Sequence, residues 1–275
     1  MHTIDPNAAS GGDGIFGLDD GPDTAGVILV PVPFDATTSY RPGAASGPAA
    51  ILAASHQIDL HDHETGEPWQ AGIAMLEAEP VIPGHNRVAR QLVAGLREKR
   101  DDAALDQVNG LCGEVNDKVA AAVEHWLEAG RLVGVVGGDH ATAFGSIRAQ
   151  AGRGGDFGIL HIDAHADLRR AYEGFTWSHA SIMDAVCEHL PAVTKLVQVG
   201  VRDFCEEELE RIEGSAGRVQ TFFDADLHAR LFEGESWAAL AREIVAALPQ
   251  RVYLSFDVDG LDPKLCPNTG TPVPG

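Results

Sequence analysis

Apolar residues in this chain alternate between two patterns: short unbroken runs, and longer stretches where they recur every three or four positions. The runs at 131–136 and 157–162 read as strands buried in a parallel sheet, and those at 26–30, 195–200, 219–223 and 251–256 as further strands. Weaker runs at 57–60 and 72–76 predict further strands. The periodic stretches 86–100, 114–129 and 237–248 predict helices. Pro48 marks the start of another over 48–54. Shorter helices follow His140, through Ile147, and end near Leu190. Strands alternating with helices predict an α/β fold: three layers, α/β/α, with a central mostly parallel sheet.

The chemistry sits where apolar runs end. The run at 131–136 leads into Gly137-Gly138-Asp139-His140, the run at 157–162 into Asp163, His165 and Asp167, and the run at 251–256 into Asp257 and Asp259. Residues two apart in extended backbone point to one side, and in a parallel sheet these carboxyl ends share one rim, where open α/β sheets bind ligands. Four carboxylates and two imidazoles exceed what one ion with an open position needs. They suit two divalent ions, and a donor set without thiolate favours Mn²⁺, less specifically Ni²⁺, Co²⁺, Fe²⁺ or Zn²⁺. Taken singly, 163–167 also reads as a polar turn and His140 as a cap or surface residue. His61-Asp62-His63-Glu64 has metal-ligand composition too, but its polar, turn-like surroundings predict a solvated loop. Asp262-Pro263 reads as turn chemistry.

Composition narrows the partners. Over 275 residues the formal net charge is −21, which argues against nucleic acid. An acidic field favours cationic substrates and metal ions, or serves solubility alone. No apolar run approaches a membrane span, and residues 1–25 lack a secretion signal, so the expected location is cytoplasmic. Cys112, Cys187, Cys205 and Cys266 are widely spaced and read as buried thiols of a reducing compartment. Residues 1–25, rich in Gly, Asp and Asn, predict a flexible arm whose patch Ile15-Phe16-Gly17-Leu18 docks on the domain or on a neighbouring subunit. The domain itself is expected over 26–275.

The motifs Gly-Gly-Asp-His (137–140), Asp-Ala-His-Ala-Asp (163–167), Ser-Phe-Asp-Val-Asp-Gly-Leu-Asp-Pro (255–263) and Gly-Thr-Pro-Val (270–273) together resemble the ureohydrolase family of arginases and agmatinases, in order and spacing, over residues 27–275. Pro33-Phe34-Asp35, Ser39-Tyr40-Arg41-Pro42-Gly43-Ala44, Gly47-Pro48 and Gly200-Val201-Arg202 make the resemblance agmatinase-like. It implies an arginase-like fold and two Mn²⁺ per chain, with Ni²⁺ as the alternative. One ion would be held by His140, Asp163, Asp167 and Asp257, the other by Asp163, His165, Asp257 and Asp259, with Asp163 and Asp257 bridging. A bridging hydroxide, oriented by Asp167, would attack a guanidinium carbon and release urea and an amine, as in polyamine biosynthesis. His179 would deliver a proton to the leaving amine, although Ala180 stands where the family commonly has Gly; a core or surface histidine is the alternative. Thr271 would lie near the guanidinium.

Agmatine, 4-guanidinobutyrate and guanidine itself are all open as the small guanidino substrate. In the loop 170–178, Tyr172, Phe175 and Trp177 either narrow the pocket or pack the loop. The resemblance also implies a homotrimer or homohexamer. Family members continue past Gly-Thr-Pro-Val with more sheet and helix and a guanidinium-gripping Glu, so the expectation is a C-terminally short chain with open strand edges and reduced turnover. Two other readings compete: a single-metal amide hydrolase similar to histone deacetylases, which usually carry adjacent histidines absent here, and a non-catalytic metal-binding protein.

Overall fold

The computed structural model describes residues 11–275. Among them, parallel strands alternate with helices: β1 (Val27–Val32), α1 (Gly47–Ser55), β2 (Ile73–Met75), α2 (Val81–Glu98), α3 (Asp102–Glu128), β3 (Leu132–Gly137), α4 (Ala143–Gly152), β4 (Phe157–Ile162), α5 (Ile182–His189), β5 (Val193–Val201), α6 (Glu206–Gly214), β6 (Val219–Phe223), α7 (Asp224–Phe232), α8 (Trp237–Ala246) and β7 (Val252–Phe256). Every strand pair is parallel. The α/β arrangement is the one expected, but its strands form two sheets, a three-stranded one in the order β2-β1-β3 and a four-stranded one in the order β6-β5-β4-β7.

Helices cover both faces of the four-stranded sheet. Neighbouring residues of β5 show the division: Leu196 packs with Ile182, Met183 and Val186 of α5, while Val197 packs with Leu227 of α7 and Leu240 and Ile244 of α8. A third core joins β1 to α2 and α3. Helix α3 starts well before residue 114, because Asp101 caps it by accepting from the amides of Ala103 and Ala104 at 3.0 and 3.2 Å. Val108, Cys112, Val115, Val119 and Val123 then recur at helical spacing on its buried face.

Two expected strands need correction. Residues 131–136 read as a buried strand, yet β3 is an edge strand, with Leu132 69% exposed. β7 forms where a strand was expected and is also an edge, with Val252, Leu254 and Phe256 exposed. An apolar run records a preference for burial, not which neighbour the strand finds. Residues 57–60 form no strand, because the amides of Gln57 and Ile58 donate to the carbonyls of Ala54 and Ser55 and close the end of α1.

Part of the expected N-terminal arm, residues 1–10, lies outside the described residues. Beyond it, Ile15 and Leu18 are buried. The Phe16 amide donates to Ser55 Oγ at 2.8 Å and His56 Nε2 donates to the Gly14 carbonyl at 2.9 Å, so this stretch lies against α1.

Candidate metal centre

Three strand ends meet at one cavity of about 430 Å³, which opens between the edges of β3 and β7. His140, Asp163, His165, Asp167, His179, Asp257, Asp259 and Thr271 all line it. β3 delivers His140 through Gly137-Gly138. Gly138 passes so close under the backbone of Phe34 that a Cβ would collide with it. Asp139 caps the following turn, accepting from the Ala141 amide at 3.2 Å, and its other oxygen accepts from Thr38 Oγ1 at 3.3 Å.

The donors converge by a different local route from the extended spacing expected. β4 ends at Ile162, and Asp163 starts a turn in which its Oδ1 accepts from the His165 amide at 2.7 Å. Asp167 then adopts a left-handed backbone, φ 55°, a region that aspartate tolerates better than most residues. At the end of β7, Asp257 caps a short 3-10 turn over Val258–Gly260 by accepting from the Asp259 amide at 3.0 Å. The side chains meet because the chain bends sharply, not because it stays extended.

The donor atoms fall into two overlapping groups. Ligand atoms of His140, His161, Asp163 and Asp167 lie within 4.8 Å of one another, and so do those of Asp163, His165 and Asp259. His140 Nδ1 stands 3.0 Å from Asp163 Oδ2, 2.9 Å from Asp167 Oδ2 and 3.5 Å from Asp257 Oδ2. His165 Nδ1 stands 3.4 Å from Asp163 Oδ1 and 3.1 Å from Asp259 Oδ2. Asp163 thus faces one group with each oxygen. Asp257 lies beside the first group but outside the 4.8 Å set, where His161 appears instead.

This donor set fits divalent cations. His140 Nδ1 is buried without a hydrogen-bond partner, although the ring's Nε2 meets Ser255 Oγ at 2.7 Å; a lone pair aimed among carboxylates is what a ligand histidine presents. Burial, and then the charge of Asp163, pushes Asp167 up to about 8 and Asp257 up to about 7. Burial also opposes charge on Asp163, yet the surrounding His161, His140 and His165 hold it well below the usual carboxylate range. So many buried acids stay ionised together only when cations neutralise them.

The remaining marked residues are placed around this cluster. Thr271 Oγ1 donates to Asp259 Oδ2 at 3.3 Å. His179 caps no ligand; its Nε2 lies 3.5 Å from Ser39 Oγ, and burial, with the neighbouring His165 and His140, pushes it down to about 4. Ser39 belongs to a loop tied down by Asp35, which accepts from the amides of Gly43 and Ala45 and from Asn86 and Arg90. A second cavity of about 100 Å³ adjoins the first and is lined by Tyr172, Arg169, Asp203 and Glu208 besides His179 and Thr271. Of the aromatic loop, Phe175 and Trp177 pack into the core, and only Tyr172 faces this cavity.

The motif reading gave no role to four polar residues behind the site: His161, Gln198, Thr221 and Ser255. Their signal was available, since each is a polar residue inside a run that predicts a strand. Among the described residues, no helix is long and apolar enough to cross a membrane.

Comparison with known proteins agrees with this geometry. The model of the arginase family matches residues 25–275. The N(1)-aminopropylagmatine ureohydrolase of Thermus thermophilus is 35% identical over 264 residues, covering 95% of this chain and 77% of that protein. The proclavaminate amidinohydrolase of Streptomyces clavuligerus is 31% identical, with 90% and 71% covered. Among solved structures, the agmatine ureohydrolase of Thermoplasma volcanium superposes with a TM-score of 0.71 at 23% identity, covering 95% of this chain and 76% of that one, a likeness of fold.

Proposed function

Since this chain belongs to the arginase family and is a ureohydrolase-type enzyme with a divalent-metal site, we propose that it hydrolyses a guanidino compound with a cationic, amine-bearing tail to urea and an amine. The observation that carries the reading is the buried, unpartnered His140 Nδ1 among three carboxylates, beside a second His–Asp group that shares Asp163. Two divalent ions, Mn²⁺ in this reading, supply there a hydroxide at neutral pH and Lewis acidity toward a resonance-stabilised carbon.

The protein's own residues do the rest. His140, Asp163, Asp167 and Asp257 would hold one ion, and Asp163, His165, Asp257 and Asp259 would hold the other. Thr271, anchored on Asp259, fixes the guanidinium by its hydroxyl. His179 Nε2 passes a proton to the leaving nitrogen, and Asp167 orients the attacking water. The tail lies toward the smaller cavity. Arg169 is engaged there by Glu208 at 3.4 Å, and Asp203, 60% exposed at its side chain and 3.8 Å from His165 Nε2, adds a second carboxylate, so the carboxylates beside this cavity favour an amine over a carboxylate. The relatives named for agmatine derivatives support the same choice. The reading carries with it a cytoplasmic homotrimer or homohexamer, checked by sedimentation.

Urea release decides the matter. With Mn²⁺ and Ni²⁺ each supplied, agmatine and N(1)-aminopropylagmatine are expected to yield urea at least tenfold faster than 4-guanidinobutyrate or guanidine. A faster rate with 4-guanidinobutyrate would overturn the amine-tail reading. No urea from any compound, with two ions bound per chain, would overturn hydrolysis itself.

A further inference from the structure

Four polar side chains form a single rung across the four-stranded sheet directly behind the metal centre. By strand register, Thr221 on β6 is opposite Gln198 on β5, Gln198 is opposite His161 on β4, and His161 is opposite Ser255 on β7. His161 and Gln198 are fully buried and Ser255 nearly so. Buried polar groups in the middle of an apolar sheet are costly unless each is satisfied, and here each is.

Hydrogen-bond logic fixes the direction of the chain. A Gln198 side-chain atom lies 2.7 Å from the carbonyl of Ala166. A carbonyl only accepts, so that atom is the amide nitrogen. The same nitrogen lies 3.0 Å from His161 Nδ1, and its second hydrogen points there. The Gln198 oxygen accepts from Thr221 Oγ1 at 2.9 Å. His161 Nδ1 is therefore the unprotonated nitrogen, and Nε2 carries the proton that it donates to Asp163 Oδ2 at 2.8 Å. A ring nitrogen bearing a proton is no metal ligand.

We propose that Thr221, Gln198 and His161 form a positioning relay that locks His161 as its Nε2–H tautomer, so that it aims the shared carboxylate Asp163 and stays out of the coordination sphere. The relay also explains the composition of the first donor group. His161 lies within ligand distance of His140 and Asp167, yet Gln198 disqualifies it, and Asp257 is left as that ion's further ligand. Ser255 completes the rung on the other side by meeting His140 Nε2. The inference rests on the divalent-metal reading of the site, not on the choice of substrate.

The test uses the full chain. Long-range proton–nitrogen NMR of ¹⁵N-histidine-labelled protein, metal-free and zinc-loaded, reads the tautomer of His161, assigned by loss of its signal in His161→Asn. Calorimetric titration with Mn²⁺ reads stoichiometry and affinity. The wild type is expected to show Nε2–H at His161 and to bind two ions. In Gln198→Glu, whose carboxylate cannot donate to Nδ1, the proton pattern should change and the affinity for Mn²⁺ should fall about 10–100-fold. Thr221→Val, which keeps the branched shape and removes the hydroxyl that Gln198 accepts from, should give a smaller loss in the same direction, and it serves if Gln198→Glu does not fold. Two bound ions with an Nδ1–H or doubly protonated His161 in the wild type would overturn this inference alone. So would a changed tautomer in Gln198→Glu with unchanged affinity. A wild type with the Nε2–H ring that bound no Mn²⁺ would overturn the metal reading and this inference with it.

Discussion

Two stretches of this chain have nearly the same ligand chemistry and opposite fates. His61-Asp62-His63-Glu64 and Asp163-Ala164-His165-Ala166-Asp167 both crowd carboxylates and imidazoles into a few residues. In the first, all four residues are exposed, and Asp62 is used up by its own turn, accepting from the amides of Glu64 and Thr65 and from Thr65 Oγ1. In the second, Asp163 and Asp167 are 1% and 5% exposed, and their partners come from other strand ends. What separates them is the support beneath. β4 is held between β5 and β7, so the turn after it leaves a buried strand and faces His140 and Asp259. The turn at 61–66 leaves no such strand. Water already satisfies the donors of an exposed turn, whereas buried carboxylates have no solvent to fall back on and gain strongly from a cation.

The contrast breaks most sharply at the shared carboxylate. Asp163→Asn should reduce urea release on the order of a thousandfold, about 4 kcal/mol of transition-state stabilisation, with loss of tightly bound Mn²⁺ measured by elemental analysis; Asp62→Asn should change neither. Next in size is the loop that brings Ser39 to the site. Asp35 is buried and paired with Arg90 at 3.0 Å, so Asp35→Ala should cost about 3 kcal/mol in urea denaturation at pH 7.

That difference has a defined pH dependence. Burial works against the Asp35 charge, but the amides of Gly43 and Ala45 with Arg90 and Asn86 hold its carboxyl below 3.8 in the folded protein. The unfolded chain therefore binds this proton more readily than the folded one. The stabilisation is complete above the ordinary carboxylate value and is lost as the pH falls through the folded value, so wild type and Asp35→Ala should converge in stability below about pH 4.

Removing ions should lower stability by a comparable amount. Dialysis against chelator is expected to reduce the melting temperature, and Mn²⁺ at a hundred times its Kd to restore about 2.7 kcal/mol. An unchanged melting curve would place the ions elsewhere. Smaller again, Thr271→Val should slow urea release roughly tenfold through one lost hydrogen bond. His61→Ala and His63→Ala come last, expected within about 0.5 kcal/mol of wild type in stability and unchanged in metal content.

Much of this was legible in the residues. The apolar runs located the strands well because residues such as Ile159, Leu196 and Val197 are buried by helices on both faces, and two-sided burial leaves an unbroken signature. The helix at 102–128 was only half legible, because its first turns carry polar residues and its start depends on the cap made by Asp101. The short helix α6, opening with Glu206, Glu207 and Glu208, gave no apolar stripe to find. His161 and Gln198 were visible as polar interruptions, but their meaning depends on β4 and β5 pairing in that register, which no local pattern specifies.

By itself, then, the chain's residue order determined which segments bury apolar surface, that the strands run parallel, and that carboxylates and imidazoles cluster at their ends. These follow from local chemistry: side-chain hydrophobicity, the periods of strand and helix, and the cost of concentrating like charges. Only the tertiary structure decided that the strands divide between two sheets with β3 and β7 as edges, that left-handed Asp167 and the turn at Asp257 bring the donors together, and that one His–Asp stretch is a buried centre while the other is a solvated turn. Those outcomes depend on which distant segments become neighbours, and the energy of a buried charge is set by its neighbours far more than by its own place in the chain.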